Sequence, residues 1–586
     1  MNLSRKNTSQ AIAVAAAAVL TVSCAAGERR FPLRAPMAVD TDLQSVTVAC
    51  HRAPSEKDPK HVACAPDPYV SPLVWDGADN MAFRPFAEAW TFEASHEAAN
   101  VNAFDEVADS AWFTNRIGVH ATTRDELLRA ACKPSQLLGD TSRIADGSWL
   151  IDKGKQNGSS LGFRIKIPGK GKFLLKIDEP LPERPSAASV IGADTYYATG
   201  FNFSCEQVIY VKASAFTLTP GLTVVDNTSR VRPFDRAALD EILKKAPRKG
   251  EYLRFQASAW LEGDLIGPFR YEKTRDDDPN DVIPHENRRE LRGARVLAAW
   301  LDHFDAREQN SMDAWVADAD HKKNNEPDSS PGHVVHYYLD TSDCLGSEWD
   351  WDVISRRLGK SYILDWGDIG RDFVTLGIPV RPWDTASRVP GREIFGYFRA
   401  DTFVPDEWKN EYPNPAFSRM TERDGAWMAR ILSRFTPELV RALASAGQFS
   451  DPSNEAYLAG ILEGRLDKIL DRYLTRLSPV ADVHLEGDAL CATDLAAARG
   501  VRDASQFAYR ASRDGAPLAV AMRDGAHFCA SLVHGAPDTG PADDDASRYV
   551  RVRVEDGVAR GPLLAYLYDL GPTRGFRLVG LERPDP

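Results

Sequence analysis

His303-Phe304-Asp305-Ala306-Arg307-Glu308-Gln309-Asn310 is the stretch on which the reading of this chain turns. It places His, Asp and Asn in the spacing H-x-D-x-x-x-x-N. In a loop of that pattern the Asp accepts a proton from an attacking hydroxyl. The Asn, five residues on, holds a metal ion that neutralises a transferring phosphate. Such spacings arise often by chance in 586 residues, so the weight of this one rests on its surroundings.

Phosphoryl transfer needs few parts: a loop over the phosphates, a Lys on them, metal-binding acids and a group near the nucleophile. Each occurs here in order. Asn157-Gly158-Ser159-Ser160-Leu161-Gly162 is a loop whose small residues let backbone N–H groups approach phosphate oxygens. It opens a predicted hairpin, in which Gly162-Phe163-Arg164-Ile165-Lys166-Ile167 alternates and Pro168-Gly169-Lys170-Gly171 turns. Phe173-Leu174-Leu175-Lys176-Ile177 is the return strand, and Lys176 sits in that apolar run. A Lys there either faces solvent from an edge strand or requires a charged partner. Pro185 to Ala198 reads as the following helix, stopping at Thr199-Gly200, with Asp194 on its apolar face. Asp194 is the expected partner of Lys176, with Glu183 as the alternative. Val334 to Leu339 reads as a strand ending at Asp340, which with Asn310 is the expected metal-binding pair.

Around these motifs the chain divides into four. Residues 1–23 read as an export signal: Arg5 and Lys6 precede an apolar stretch, Ala11 to Val22, too short to span a bilayer. Thr21-Val22-Ser23-Cys24 resembles a lipobox, although its Leu is displaced to Leu20, and Cys24 is the expected lipidation site. Ala26 at the second position after Cys24 points to the outer membrane. The expected location is therefore the cell envelope, with the membrane as a partner through the lipid anchor. Residues 24–100, rich in Pro, Ala and Asp, read as a stalk and lead-in. Residues 101–480 form the core, beginning near the aromatic pair Trp112-Phe113 and ending in long amphipathic helices over 422–478. Residues 481–586 turn to short strands with Gly and Asp turns, a β-rich module. The expected class is α+β.

Net charge is −13 with no long basic run, which makes nucleic acid an unlikely partner class. Cys50 with Cys64 and Cys491 with Cys529 are plausible disulfides in an oxidising compartment, and no C-x-x-C marks a zinc site. His333-Val334-Val335-His336 enters a strand, where residues three apart face opposite sides, so a structural role is expected. Asp318, Asp320 and Asn324 lack the Gly and closing Glu of a calcium loop.

Several segments resemble a group of uncharacterised exported proteins of myxobacteria and related Gram-negative bacteria. They are His285 to Gly293, Trp300 to Asp305, His336 to Asp340, Leu345-Gly346-Ser347, and Tyr568 to Pro572 with Arg577 to Pro584. That resemblance implies export and a shared architecture and supplies no activity. More distantly, residues 150–345 are similar to atypical protein kinases of the HipA and spore-coat CotH types, at Lys176, Asp305, Asn310 and Asp340. This implies a two-lobed kinase-like core with a helical C-lobe. It also implies ATP and Mg²⁺ (or Mn²⁺), with Gly158, Ser159, Ser160, Gly162, Lys176 and Asp194 around the nucleotide. Phe304 replaces the usual Arg, and Asp340-Thr341-Ser342 stands where D-F-G would. Two functions are consistent with these features. One is an exported phosphotransferase acting on an unidentified protein or small-molecule acceptor. The other is an inactive kinase-like envelope lipoprotein serving as a binding scaffold, a reading favoured by the scarcity of ATP outside the cytoplasm.

Overall fold

The computed structural model describes residues 30–33, 40–48, 66–70, 73–88, 90, 96–155, 160–179, 181–226, 230–318, 331–346, 351–538 and 546–586. It is a mixed α+β structure. The alternating segments that open the core form three antiparallel strands, β1 (Trp149–Lys155), β2 (Gly162–Ile167) and β3 (Gly171–Lys176). Phe163, Ile165, Phe173 and Leu175 point from one face into a common core. Next comes α1 (Arg184–Thr199), buried at every position except Tyr197. The Asp178 carboxylate accepts from the Ser186 N–H at 2.7 Å and thereby fixes the entry to this helix. Its end is Gly200 at φ 141°, where a Cβ would lie 2.2 Å from the Phe113 ring.

Two further strands, β4 (Glu206–Lys212) and β5 (Phe216–Leu218), precede α2 (Arg236–Lys245) and β6 (Tyr252–Ala259). The sheet runs β4-β6-β3-β2-β1-β5, with Arg248–Lys249 paired to β6. Lys176 therefore lies on an interior strand, directly between Gly162 and Gln256. A smaller sheet joins β7 (Asp264–Gly267), β8 (Ser311–Ala317) and β9 (Gly332–Tyr338) to Asn202–Phe203.

Between β7 and β8 lies α3 (Arg289–Leu301), followed later by α4 (Trp366–Thr375), α5 (Glu422–Leu432), α6 (Pro437–Ala446) and α7 (Pro452–Leu474). Leu297, Trp300, Trp427, Leu443, Leu462 and Leu466 fill the helical core. Arg254 on β6 donates to the carbonyls of Gly447 and Gln448, both at 2.7 Å, and so ties the large sheet to the helical half. Strands from Val480–Glu486 to Phe576–Glu582 form a four-stranded and a five-stranded sheet with their own apolar core.

Two findings depart from the expected picture. The described parts of residues 24–100 do not stand off as a stalk. Asp40 and Asp42 each pair with the buried Arg288 at 2.7 Å, and residues 73–88 are helical. Phe31 and Leu33 pack against Tyr566, Tyr568 and Val579, and Val48 against Ile266, Trp315 and Val334. Cys491–Cys529 is bonded as expected, and Cys132 also pairs with Cys205, the residue before β4, which lies beside the segment that precedes β1. Cys50, Cys64 and Cys24 lie outside the described residues. No helix among the described residues is long and apolar enough to cross a membrane.

Asp105 joins the parts. Its carboxylate meets Arg289 of α3 at 2.6 Å, Arg583 of the C-terminal module at 2.7 Å and Arg430 of α5 at 3.6 Å. Burial raises its pKa, but the three guanidinium groups outweigh burial and hold it well below the usual carboxylate range. Asp105→Ala removes the carboxylate shared by these buried cations and is expected to cost about 3–5 kcal/mol in chemical unfolding at pH 7. Because the folded-state pKa is depressed, the contribution of Asp105 is complete above about pH 4. It fades as the pH falls from there toward the folded value, so the wild-type advantage over the variant should shrink in acid.

Candidate functional site

The site is assembled where the large sheet, α1 and the α3–β9 segment meet. Lys176 is 7% exposed, and its Nζ lies 2.8 Å from Asp340 Oδ2. A lone buried ammonium would be costly. Burial alone would lower the Lys176 pKa, but Asp340, then Glu206 and Asp343, raise it above its ordinary value. Burial likewise opposes ionisation of Asp340, and Lys176 with the Ser342 hydroxyl reverses this, holding its carboxyl far below the usual range. The Ser342 hydroxyl donates to Asp340 Oδ1 at 2.7 Å.

Neighbouring elements fix both residues. Gly162 sits opposite Lys176, and a Cβ there would be 2.1 Å from the Leu175 carbonyl oxygen. Asp340 follows β9 at φ 52°, a left-handed turn that Asp tolerates. Arg184 at the start of α1 donates to the Ser342 and Cys344 carbonyls at 2.9 and 3.1 Å. Gly192 of α1 passes so close to this turn that a Cβ would be 2.3 Å from Thr341 Oγ1.

The His303–Asn310 loop forms the other side. Asn310 Nδ2 donates to the Asp305 carbonyl at 2.9 Å and to Asp305 Oδ2 at 2.7 Å. With the amide nitrogen turned to Asp305, the side-chain oxygen is the atom of Asn310 that can ligate a metal. The Leu339 N–H donates to the Asn310 carbonyl at 2.9 Å, linking the loop to the strand that ends at Asp340. His303 is fully buried and burial pushes it down to about 4, so it is neutral at pH 7. The Tyr196 hydroxyl shares a hydrogen bond with Nδ1 at 2.8 Å, and Nε2 lies 3.4 Å from Asp305 Oδ1. Phe304 packs into the helical core at the place where the resembled pattern has Arg. Arg307, three residues later, pairs with Glu411 at 2.6 Å.

Asp305 differs from Asp340. Burial, then the charge of Asp343, raises its pKa well above the ordinary value, with Asp340 and Glu411 adding to the effect against Arg307. Asp305 Oδ1 is buried and has no hydrogen-bond partner. Asp343 and Asp340 thus lie near enough to act on Asp305, whose Oδ1 is a buried carboxylate oxygen still open to a proton or a ligand.

Asp194 does not reach Lys176. It is buried in α1, where burial and the neighbouring Glu206 raise its pKa well above normal, and its Oδ2 has no partner. The acid that faces Lys176 from the sheet is Glu206 of β4, which accepts from Ser204, Ser258 and Gln256. Glu183 instead accepts from the Ser450 N–H. The helical spacing of Asp194 suggested an inward-facing acid, but its place along α1 turns it toward Glu206. Lys155, at the end of β1, was not anticipated either. Its Nζ donates to the Ser160 carbonyl at 2.7 Å, and burial with the adjacent Lys176 pushes it down to about 8. A basic residue ending the strand before a Gly-Ser loop was the available signal. Gly158 and Ser159 lie outside the described residues.

Other candidates hold no site. His484, Glu486 and Cys491 lie close together, but Cys491 is bonded to Cys529 and has no thiolate to offer a metal. His336 is buried and bonded to Asp313 at 2.6 Å, apart from His333, as the strand geometry required.

No family model matches this chain, and neither a curated protein nor a solved structure matches it.

Burial and neighbouring acids oppose ionisation of Asp305, so replacing it with the neutral isostere should relieve the fold. Its raised folded-state pKa means the penalty grows as pH rises through the unfolded value near 3.9 and is full above the folded value. Asp305→Asn should raise the melting temperature by about 2 °C or more at pH 8. It should leave it nearly unchanged at pH 4.

Proposed function

We propose that this chain is an exported kinase-like phosphotransferase that uses ATP with Mg²⁺ or Mn²⁺. In this reading the large sheet with α1 is the nucleotide-holding lobe and α3 to α7 belong to the helical lobe. The observation that carries it is the juxtaposition of the Lys176–Asp340 pair with the Asp305–Asn310 pair, contributed by elements far apart in sequence. Few structural needs put two such pairs together, and phosphoryl transfer needs both.

Lys176 would bind phosphate oxygens on leaving Asp340, with Lys155 as a second cation beside Ser160. Asp340 and the side-chain oxygen of Asn310 would hold the divalent cation, whose charge offsets that of the phosphates. Its upward-shifted pKa makes the Asp305 carboxylate a stronger base than an ordinary one. The acceptor hydroxyl gives its proton to Asp305, its oxygen bonds to the γ-phosphorus, and ADP leaves with the electrons of the broken P–O bond. Neutral His303 and Asn310 orient Asp305.

The scaffold reading draws support from the direct neutralisation of Lys176 by Asp340, which would hold the fold without any ligand. Calorimetry on residues 25–586 separates the two. The phosphotransferase reading expects ATP binding that requires Mg²⁺ or Mn²⁺ and weakens at least tenfold in Lys176→Ala and Asp340→Ala, with circular dichroism unchanged. Absence of metal-dependent nucleotide binding in the wild type leaves the scaffold.

A further inference from the structure

Helix α4 is built inside out. A surface helix normally buries its apolar stripe and exposes its charges. Here Asp365, which caps the helix through the Gly367 and Asp368 N–H groups, is buried and pairs with Lys409 at 2.6 Å. Asp368 accepts from the Ser361 hydroxyl at 2.9 Å, and Asp372 meets Arg381 at 2.6 Å. The acids hold the helix to the body, and Trp366, Ile369 and Phe373 face outward.

The apolar surface continues past the helix. Leu376 at φ 52° and Gly377 at φ 70° reverse the chain. Phe373-Val374-Thr375-Leu376-Gly377-Ile378-Pro379-Val380 contains no charge. Phe373 is 83% exposed and Leu376 85%, and Val374, Ile378 and Val380 are nearly as open. Arg371 and Arg381 bracket this tip. Beside it runs the helical segment 73–88, tied on by the Trp366 indole N–H, which donates to the Met81 carbonyl at 2.8 Å. That segment and its end expose Val74, Trp75, Phe83, Phe86 and Trp90. Contiguous apolar surface of this kind marks an interaction site.

We propose that the 366–380 tip, together with the 73–90 segment, is a membrane-surface contact that inserts into the headgroup and acyl boundary of a lipid bilayer. Three observations favour lipid over a protein partner. Residues 373–380 form an exposed turn without charges along its length. Arg371, half exposed and beside Asp368, flanks it, and its stem can lie along the apolar layer while its head meets lipid phosphates. The neighbouring exposed rings are chiefly Trp and Phe, and Trp is enriched at membrane interfaces. The apolar Ala11–Val22 stretch, read as an export signal with lipidation at Cys24, directs the same chain to a membrane. A weak single anchor becomes stable when a second contact joins it. The contact does not depend on nucleotide.

The test is sedimentation of residues 25–586 with vesicles of phosphatidylethanolamine and phosphatidylglycerol, beside the triple variant Phe373→Ser, Leu376→Ser, Ile378→Ser. No described residue is removed by starting at residue 25, and the substituted positions are exposed, so the fold is expected to persist in both proteins. The expected result is nucleotide-independent binding by the wild type and at least a tenfold loss in the variant. A wild type that stays in the supernatant, or a variant that binds equally well, overturns the proposal. A dimer seen by light scattering that the variant abolishes, without vesicle binding, also overturns it and assigns the surface to a second copy of the chain.

Discussion

A single buried carboxylate, Asp105, holds the halves of this molecule in register. Arg289, Arg430 and Arg583 come from α3, α5 and the C-terminal strands, and no two of them are near in sequence. Each is a cation in the interior, and the one carboxylate is shared by all three, with Glu106 adding to Arg430 at 2.9 Å. Arg289 also meets Asp424 of α5 at 3.3 Å, so the anchoring is a network. The consequence reaches the site. Arg289 begins α3, and α3 delivers His303 and Asp305. Fixing the start of the helix fixes where the loop at its other end emerges.

The strand and helix pattern of the core was legible because periodicity and turn chemistry agree there. Gly162–Ile167 alternates, Pro168-Gly169 turns, and Thr199-Gly200 stops α1, and each lies within a residue or two of the observed boundary. The long helices over 422–478 were equally clear. The docking of the N-terminal segment was not, since Asp40 and Asp42 attach it through Arg288, and ion pairs leave no periodic trace. Cys132–Cys205 escaped for a related reason: its partners meet only once β4 has taken its place in the sheet.

Within the site, spacing brought out the residues that one loop supplies, Asp305 and Asn310, and the ends of strands, Lys176 and Asp340. It failed for contacts set by tertiary placement. Asp194 faces Glu206 rather than Lys176, because the helix rotation that buries it was readable and its height along the sheet was not. Glu206 and Lys155 complete the charge balance around Lys176, and neither stands in a motif. The electrostatics are uneven in a useful way. Asp340 is kept ionised by Lys176, whereas Asp305 is pressed toward its neutral form by burial and by neighbouring acids. Environments that push two carboxylates in opposite directions assign them different tasks.

The most direct measurement is anomalous diffraction from crystals grown with Mn²⁺ and a non-hydrolysable ATP analogue. The account predicts a manganese peak about 2.0–2.3 Å from oxygens of Asp340 and Asn310. It also predicts nucleotide phosphates against Lys176. A manganese ion elsewhere, or nucleotide density away from Lys176, would contradict it.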